Sequence, residues 1–168
     1  MELNQADFVS NSTPSKTNPL SAQPVEIQHP TETITGPTFR LVAESFLREK
    51  EASGIWSGRT LKNRAAKVAN IIELVGEDRV FTQMTVVDAV EVRDKIYRFP
   101  KNRTKVAAIR ELSLHQVFDL EKDSYEHIDT QTANNYLAVF KDICESAIPK
   151  FHSINVTKDI SARPVVQS

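Results

Sequence analysis

The sequence has few of the residues that define several large protein classes. It contains one cysteine, Cys144, among 168 residues, which excludes an intramolecular disulfide framework and a cysteine-rich zinc site. Only 4 glycines are present, and no apolar run approaches the roughly 20 residues that a transmembrane helix needs. The first residues show no basic segment followed by an apolar block, so we expect no secretory signal. These absences predict a protein without a membrane partner.

The composition changes twice along the chain. Hydrophobic residues make up 40% and charged residues 26% of the sequence, which is typical of a globular domain. Residues 1–36 carry four prolines among Ser, Thr, Asn and Gln, and we predict a flexible, disordered leader there. Residues 37–150 show helical periodicity, and residues 151–168 are interpreted as a linker toward a further domain.

Apolar spacing and capping residues predict four main helices. The caps are Ser57 and Thr85 at helix starts, Gly54 and Gly76 after helix ends, and Pro149 as a terminator. The predicted spans are Thr38 to Ser53, Gly58 to Val75, a third helix from after Thr85 to Pro100, and a fourth from after Asp129 to about Ile148. A turn or two of helix is predicted from Leu114 to Leu120, started by Ser113.

Each main helix has one apolar stripe, too narrow to be buried by itself. On the second helix the predicted buried positions are Leu61, Ala65, Val68, Ile72 and Val75. On the last helix they are Ala133, Tyr136, Leu137, Phe140, Cys144 and Ala147. No segment alternates convincingly as a strand. We therefore predict an all-α fold, a compact bundle of four main helices around one shared core.

The small net charge of −1 conceals a strong polarity along the chain. Residues 37–110 contain 15 basic and 9 acidic residues, whereas residues 111–150 contain 3 basic and 8 acidic residues. The basic half has two clusters, which either face phosphates or are ordinary solvated surface. One is the polar side of the second helix, with Arg59, Lys62, Asn63, Lys67 and Asn70. The other is the loop after Pro100, with Lys101, Arg103 and Lys105.

Two helix starts share a layout. In Ser57–Leu61 and Asp129–Ala133 a capping residue is followed by Thr at the third helical position and then by an apolar residue. Exposed backbone N–H groups and the positive end of the helix dipole can bind a phosphate at such starts. Plain N-capping without a ligand explains the same layout, and both interpretations stay open.

Taken together, these segments resemble the core-binding domain of tyrosine recombinases of the phage integrase family, a helical SAM-like module. The resemblance covers roughly residues 37–150. It rests on Phe39–Leu47, Trp56–Leu61, Gly76, Phe99–Arg103 and Asp129–Leu137, in the family's order. Gly58 and Thr130 depart from the family, where many relatives carry Pro in the first helical turn.

The resemblance implies double-stranded DNA binding during site-specific recombination or integration of a mobile element. In this family the core-binding and catalytic domains close around the duplex, and further recombinase protomers take part. By resemblance, the base-facing or groove-facing residues are Arg59, Thr60, Lys62, Asn63, Lys67, Gln131, Thr132, Asn134 and Asn135. Lys101, Arg103 and Lys105 are expected to contact the DNA backbone.

The resemblance also implies what this chain does not do. The family's catalytic Arg, Lys, His-x-x-Arg element and Tyr nucleophile belong to a separate catalytic domain, and no His-x-x-Arg occurs here. We therefore expect no enzymatic activity from this chain on its own, and a cytoplasmic, nucleoid-associated location in a bacterium or as a phage product. We expect no metal, cofactor or small-molecule ligand. Two alternatives stay open: a helical protein–protein adaptor and a stand-alone DNA-binding regulator.

Overall fold

The structure, a computed structural model, describes residues 36–151 and 153–166. This part of the chain folds into five α-helices and contains no β-strand, which confirms the all-α fold class. The helices are α1 (Phe39–Ser53), α2 (Gly58–Val75), α3 (Val86–Ile96), α4 (Leu114–Phe118) and α5 (Thr130–Phe151). The predicted leader, residues 1–36, lies outside the described residues except for Gly36.

Most of the predicted caps lie at helix ends, but α3 ends at Ile96, before the predicted stop at Pro100. The Ser57 side chain accepts from the Thr60 N–H at the start of α2, and Thr85 and Asp88 form a reciprocal capping box at the start of α3. Ser113 caps α4, which ends at Phe118 rather than Leu120. Gly54 adopts a left-handed conformation (φ 68°) after α1, as the sequence predicts.

The prediction that Pro149 ends the last helix is wrong, because α5 continues through Pro149 to Phe151. The proline ring fixes φ at about −65°, which is a helical value. The hydrogen bond that its missing N–H gives up lies near the end of a helix of 22 residues, where the loss interrupts little of the helix.

The core forms where α1, α2 and α5 pack against each other, and α3 closes it against α2 and α5. Val68, Ile71, Leu74 and Val75 form the buried face of α2. The predicted α2 stripe was therefore partly wrong: Leu61, Ala65 and Ile72 are only half-buried. A buried face centred on Ile71 allows α2 to contact both α1 and α5. The apolar periodicity of α2 alone does not show which neighbouring helices it packs against.

The C-terminal segment contributes to this core. Val156, Thr157 and Ile160 are buried, and Val156 and Ile160 belong to the same apolar cluster as the helices. The Lys141 ammonium donates to the Ile160 carbonyl, and the Arg163 backbone N–H donates to the Tyr97 hydroxyl at 2.9 Å. Part of the segment predicted as a linker thus packs on the bundle. The further domain stays a prediction.

Candidate nucleic-acid interface

A groove between α2 and α5 gathers four of the predicted DNA-binding residues. We call it the α2–α5 groove; it has a volume of 260 Å³. Its lining residues are Thr60, Asn63, Arg64, Lys67, Asn135, Ala138 and Val139. None of them is acidic, so an anion that enters the groove meets cations, amides and a hydroxyl.

The candidate residues on α2 differ in exposure, and two of them, Arg59 and Lys62, do not line the groove. Arg59, Lys62 and Asn63 are exposed, and Lys67 is half-buried. The Thr60 hydroxyl accepts from the Ser57 hydroxyl at 3.1 Å, so it takes part in the N-cap of α2. Within the described residues, Arg59, Lys62 and Lys67 form no ion pair.

A second groove, which we call the loop groove, lies between α2, α5 and the loop after α3 and also has a volume of 260 Å³. Its lining contains no acidic residue: Asn70, Phe99, Pro100, Asn102, Arg103, Thr104, Ile128, Thr132 and Tyr136. Asn102 has a left-handed backbone (φ 52°), a conformation that asparagine tolerates better than most residues. Asn102 lies in the turn that the chain makes directly after Pro100.

The three basic loop residues have different surroundings. Lys101 lies 3.4 Å from Glu126, and Arg103 makes a two-pronged ion pair with Glu73 at 2.8 and 3.0 Å. Lys105 is exposed and has no ion-pair partner in the part of the chain that the structure describes. Lys105 is therefore the loop cation whose charge is most available to a ligand.

The start of α5 is occupied by its own cap. The Asp129 carboxylate accepts from the Thr132 N–H at 2.8 Å and from the Thr132 hydroxyl at 3.1 Å. These hydrogen bonds hold the pKa of Asp129 below its usual value. A carboxylate at this position repels a phosphate, so the plain-capping interpretation fits α5 better. Gln131 and Asn135 are exposed one turn apart, and the Gln131 amide donates to the Asn135 oxygen at 3.5 Å.

Asn134 faces the C-terminal segment. Its Nδ2 donates to the Arg163 carbonyl at 2.8 Å, and its Oδ1 accepts from the Tyr97 hydroxyl. Both ends of the amide are thus engaged within the protein. A base contact by Asn134 would require these bonds to break, whereas Asn135 on the neighbouring side of α5 lines the α2–α5 groove.

Sequence reasoning missed Arg64, which lines the α2–α5 groove. Positions 60, 63, 64 and 67 follow the spacing of one helical face, and that signal could have included it. Its guanidinium stacks over Trp56 at 5.1 Å. Burial of the Asp142 carboxyl raises its pKa, and the positive charge of Arg64 reduces that increase. Arg64 therefore adds a positive charge to the groove, although its guanidinium also interacts with Trp56 and Asp142.

Tyr136 was predicted to belong to the buried stripe of the last helix, but it is half-buried and lines the loop groove. Its hydroxyl accepts from the Asn70 amide at 2.8 Å, which ties α5 to α2. The signal available in the sequence was the hydroxyl itself, because a tyrosine at a core boundary usually points its polar end to a partner.

The described residues contain no group of His, Cys, Asp and Glu side chains that could hold a metal ion. None of their helices combines the length and apolar character needed to cross a membrane. Searches against protein-family models, curated proteins and solved structures found no match.

Proposed function

We propose that this chain binds double-stranded DNA as the core-binding part of a tyrosine recombinase, without catalytic activity of its own. The observation that carries the DNA-binding part is the α2–α5 groove. There, Lys67 and the polar side chains of Thr60, Asn63 and Asn135 meet without an acidic neighbour in the lining. Cations that contact phosphates, with amides able to reach base edges, are the combination that duplex recognition uses.

The charges suggest how strongly salt should affect binding. Four predicted contact residues have no ion-pair partner among the described residues: Arg59, Lys62, Lys67 and Lys105. Each phosphate neutralised contributes a slope of about −0.9 in a plot of log K against log salt, so four contacts give about −3.6. The absolute affinity should be of the order of 10⁻⁴–10⁻⁶ M, as for non-specific contacts.

The test is a titration of the chain onto duplex DNA at about 50 and 200 mM salt. Lys62→Glu should weaken binding and reduce the slope to about −2.7, because one phosphate contact is lost. Arg48→Glu is the matched control, since Arg48 is an exposed helical cation on α1 that lines neither groove. Both variants should keep the wild-type circular-dichroism spectrum.

Two results would contradict the proposal. Absence of binding at the lower salt concentration favours the adaptor alternative. Equal weakening by Lys62→Glu and Arg48→Glu would mean that overall charge, and not the α2 surface, governs the interaction.

The recombinase part is tested by the coding sequence downstream, which should encode the Arg, Lys, His-x-x-Arg and Tyr elements. If DNA binding occurs without them, the regulator alternative holds.

A further inference from the structure

Tyr136 lies at the junction of the two grooves, where its ring contacts both Phe99 and Lys67. One face stacks on Phe99, with ring centroids 5.4 Å apart and an angle of 26° between the planes. The Lys67 ammonium lies 5.6 Å from the centroid of the same ring. Lys67 lines the α2–α5 groove and Tyr136 lines the loop groove, so this pair joins the two sites.

The hydroxyl of Tyr136 differs from the other two tyrosine hydroxyls. The Tyr97 hydroxyl donates to Asn134 Oδ1, and the Tyr125 hydroxyl donates to the Arg98 carbonyl at 3.0 Å. Tyr136 instead accepts from Asn70 Nδ2, and among the described residues nothing receives its proton. A phenol can donate one hydrogen bond besides those it accepts, so Tyr136 retains an unused donor.

The chemistry of the surroundings indicates the acceptor that would use this proton. Burial raises the pKa of Tyr136, so the hydroxyl stays protonated at neutral pH. The lining of the loop groove carries no carboxylate, and Lys67 lies over the ring. An anionic oxygen is favoured at such a position, because it gains both a hydrogen bond and a nearby positive charge.

We propose that the Tyr136 hydroxyl donates a hydrogen bond to a backbone phosphate of bound duplex DNA, with Asn70 positioning the hydroxyl and Lys67 supplying charge. This inference rests on the proposed function. It assigns a neutral contact at the centre of the interface, between two polar grooves. Because the hydroxyl carries no charge, its contact should not contribute to the slope of log K against log salt, whereas the contacts of the surrounding cations should.

The experiment compares two variants in the duplex titration. Tyr136→Phe removes only the hydroxyl and should lower affinity about 10- to 100-fold, the loss expected for a hydrogen bond to a charged group. Its salt slope should equal that of the wild type, because no charge is lost. Lys67→Gln should instead reduce the slope by about 0.9. Tyr125→Phe is the matched control and should keep wild-type affinity, since its hydroxyl already donates within the protein.

A second measurement keeps the inference testable if Tyr136→Phe fails to fold. In the wild-type chain, the nuclear magnetic resonance signals of the Tyr136 ring and the Asn70 amide should shift on adding duplex, while those of Tyr125 stay in place. Wild-type affinity in Tyr136→Phe, or unchanged Tyr136 and Asn70 signals in a chain that binds DNA, overturns this inference alone. A wild-type chain that does not bind duplex overturns the proposed function as well.

Discussion

Arg103 forms a bidentate ion pair with Glu73. Nη1 donates to Oε1 at 2.8 Å, and Nη2 donates to Oε2 at 3.0 Å. The same Nη2 also donates to the Leu112 carbonyl at 3.0 Å. Because Glu73 lies on α2 and Arg103 in the loop after α3, the pair fastens that loop to the helix. Arg103, predicted from sequence as a phosphate contact, thus has its fork geometry committed to a carboxylate.

Replacing Glu73 by Gln should destabilise the domain. The substitution keeps the length of the side chain but removes the charge that Arg103 pairs with. We expect the free energy of unfolding to fall by about 1 kcal/mol, a small value because the two side chains are partly exposed and solvent screens the pair. Urea denaturation followed by circular dichroism measures the loss. Glu91→Gln on the exposed side of α3 is the control and should leave the midpoint unchanged; an equal shift in both variants would contradict the assignment.

The same pair predicts a dependence of stability on pH. The hydrogen bonds and charge of Arg103 hold the pKa of Glu73 below its usual value of 4.5. A carboxyl with a lowered pKa in the folded state stabilises the fold above its unfolded pKa, because the unfolded chain binds the proton more readily. This contribution is lost as the pH falls below 4.5 and through the folded pKa. Asp88, whose pKa is also lowered by the Thr85 backbone and by Arg79, acts in the same direction.

The wild type and Glu73→Gln together isolate the effect of Glu73 from that of other carboxyls. Asp142 acts in the opposite direction, since burial raises its pKa, and its effect is common to the two chains. The stability difference between them should be constant near neutral pH and should shrink below pH 4.5, as Glu73 becomes protonated in the wild type. Urea midpoints over this pH range measure it. A difference that stays constant down to strongly acidic pH would show that Glu73 is not held ionised by Arg103.

Much of the helical structure could be predicted because its signals are local. A capping residue such as Ser57 or Thr85 and the first turn it caps lie within four residues, so the sequence contains both partners. The prediction that Pro149 ends the last helix failed because it rested on a local rule alone, which does not take into account the packing of the rest of α5. Helical spacing predicted that Asn63 and Lys67 share the polar side of α2, whereas their grouping with Asn135 on α5 was predicted only through the family resemblance.

The remaining features depend on contacts between distant segments. The ion pair of Arg103 and Glu73 joins residues 30 positions apart, and the bond between Asn70 and Tyr136 joins residues 66 positions apart. Neither pair can be predicted from the sequence, because a charged or polar residue on a helix surface has many possible neighbours. The burial of Ile160 likewise depends on packing against residues of the helices that are distant in the sequence.

Truncating Ile160 tests whether the C-terminal segment belongs to the folded unit. Ile160 is 4% exposed, and the apolar cluster surrounds it. Ile160→Ala should therefore lower the free energy of unfolding by about 2–4 kcal/mol, through lost burial and the cavity left behind. Val166→Ala, at a side chain that is 87% exposed, should change it by less than about 0.5 kcal/mol. Equal urea midpoints for the two variants would show that residues 153–166 do not stabilise the bundle.

Cys144 offers a test of the core that needs no substitution, because it is the only cysteine in the chain. Its side chain is fully buried in α5, and burial raises the pKa of the thiol to about 12. Since the thiolate is the nucleophile, alkylation by iodoacetamide at pH 8 should be at least roughly a thousandfold slower than for a free cysteine of pKa about 8.5. Mass spectrometry should find no adduct on the native protein and one adduct in denaturing urea. The labelling rate should rise with urea as the fold opens, since the thiol reacts from the unfolded state. Rapid alkylation without denaturant would mean that α5 does not turn this face toward the core.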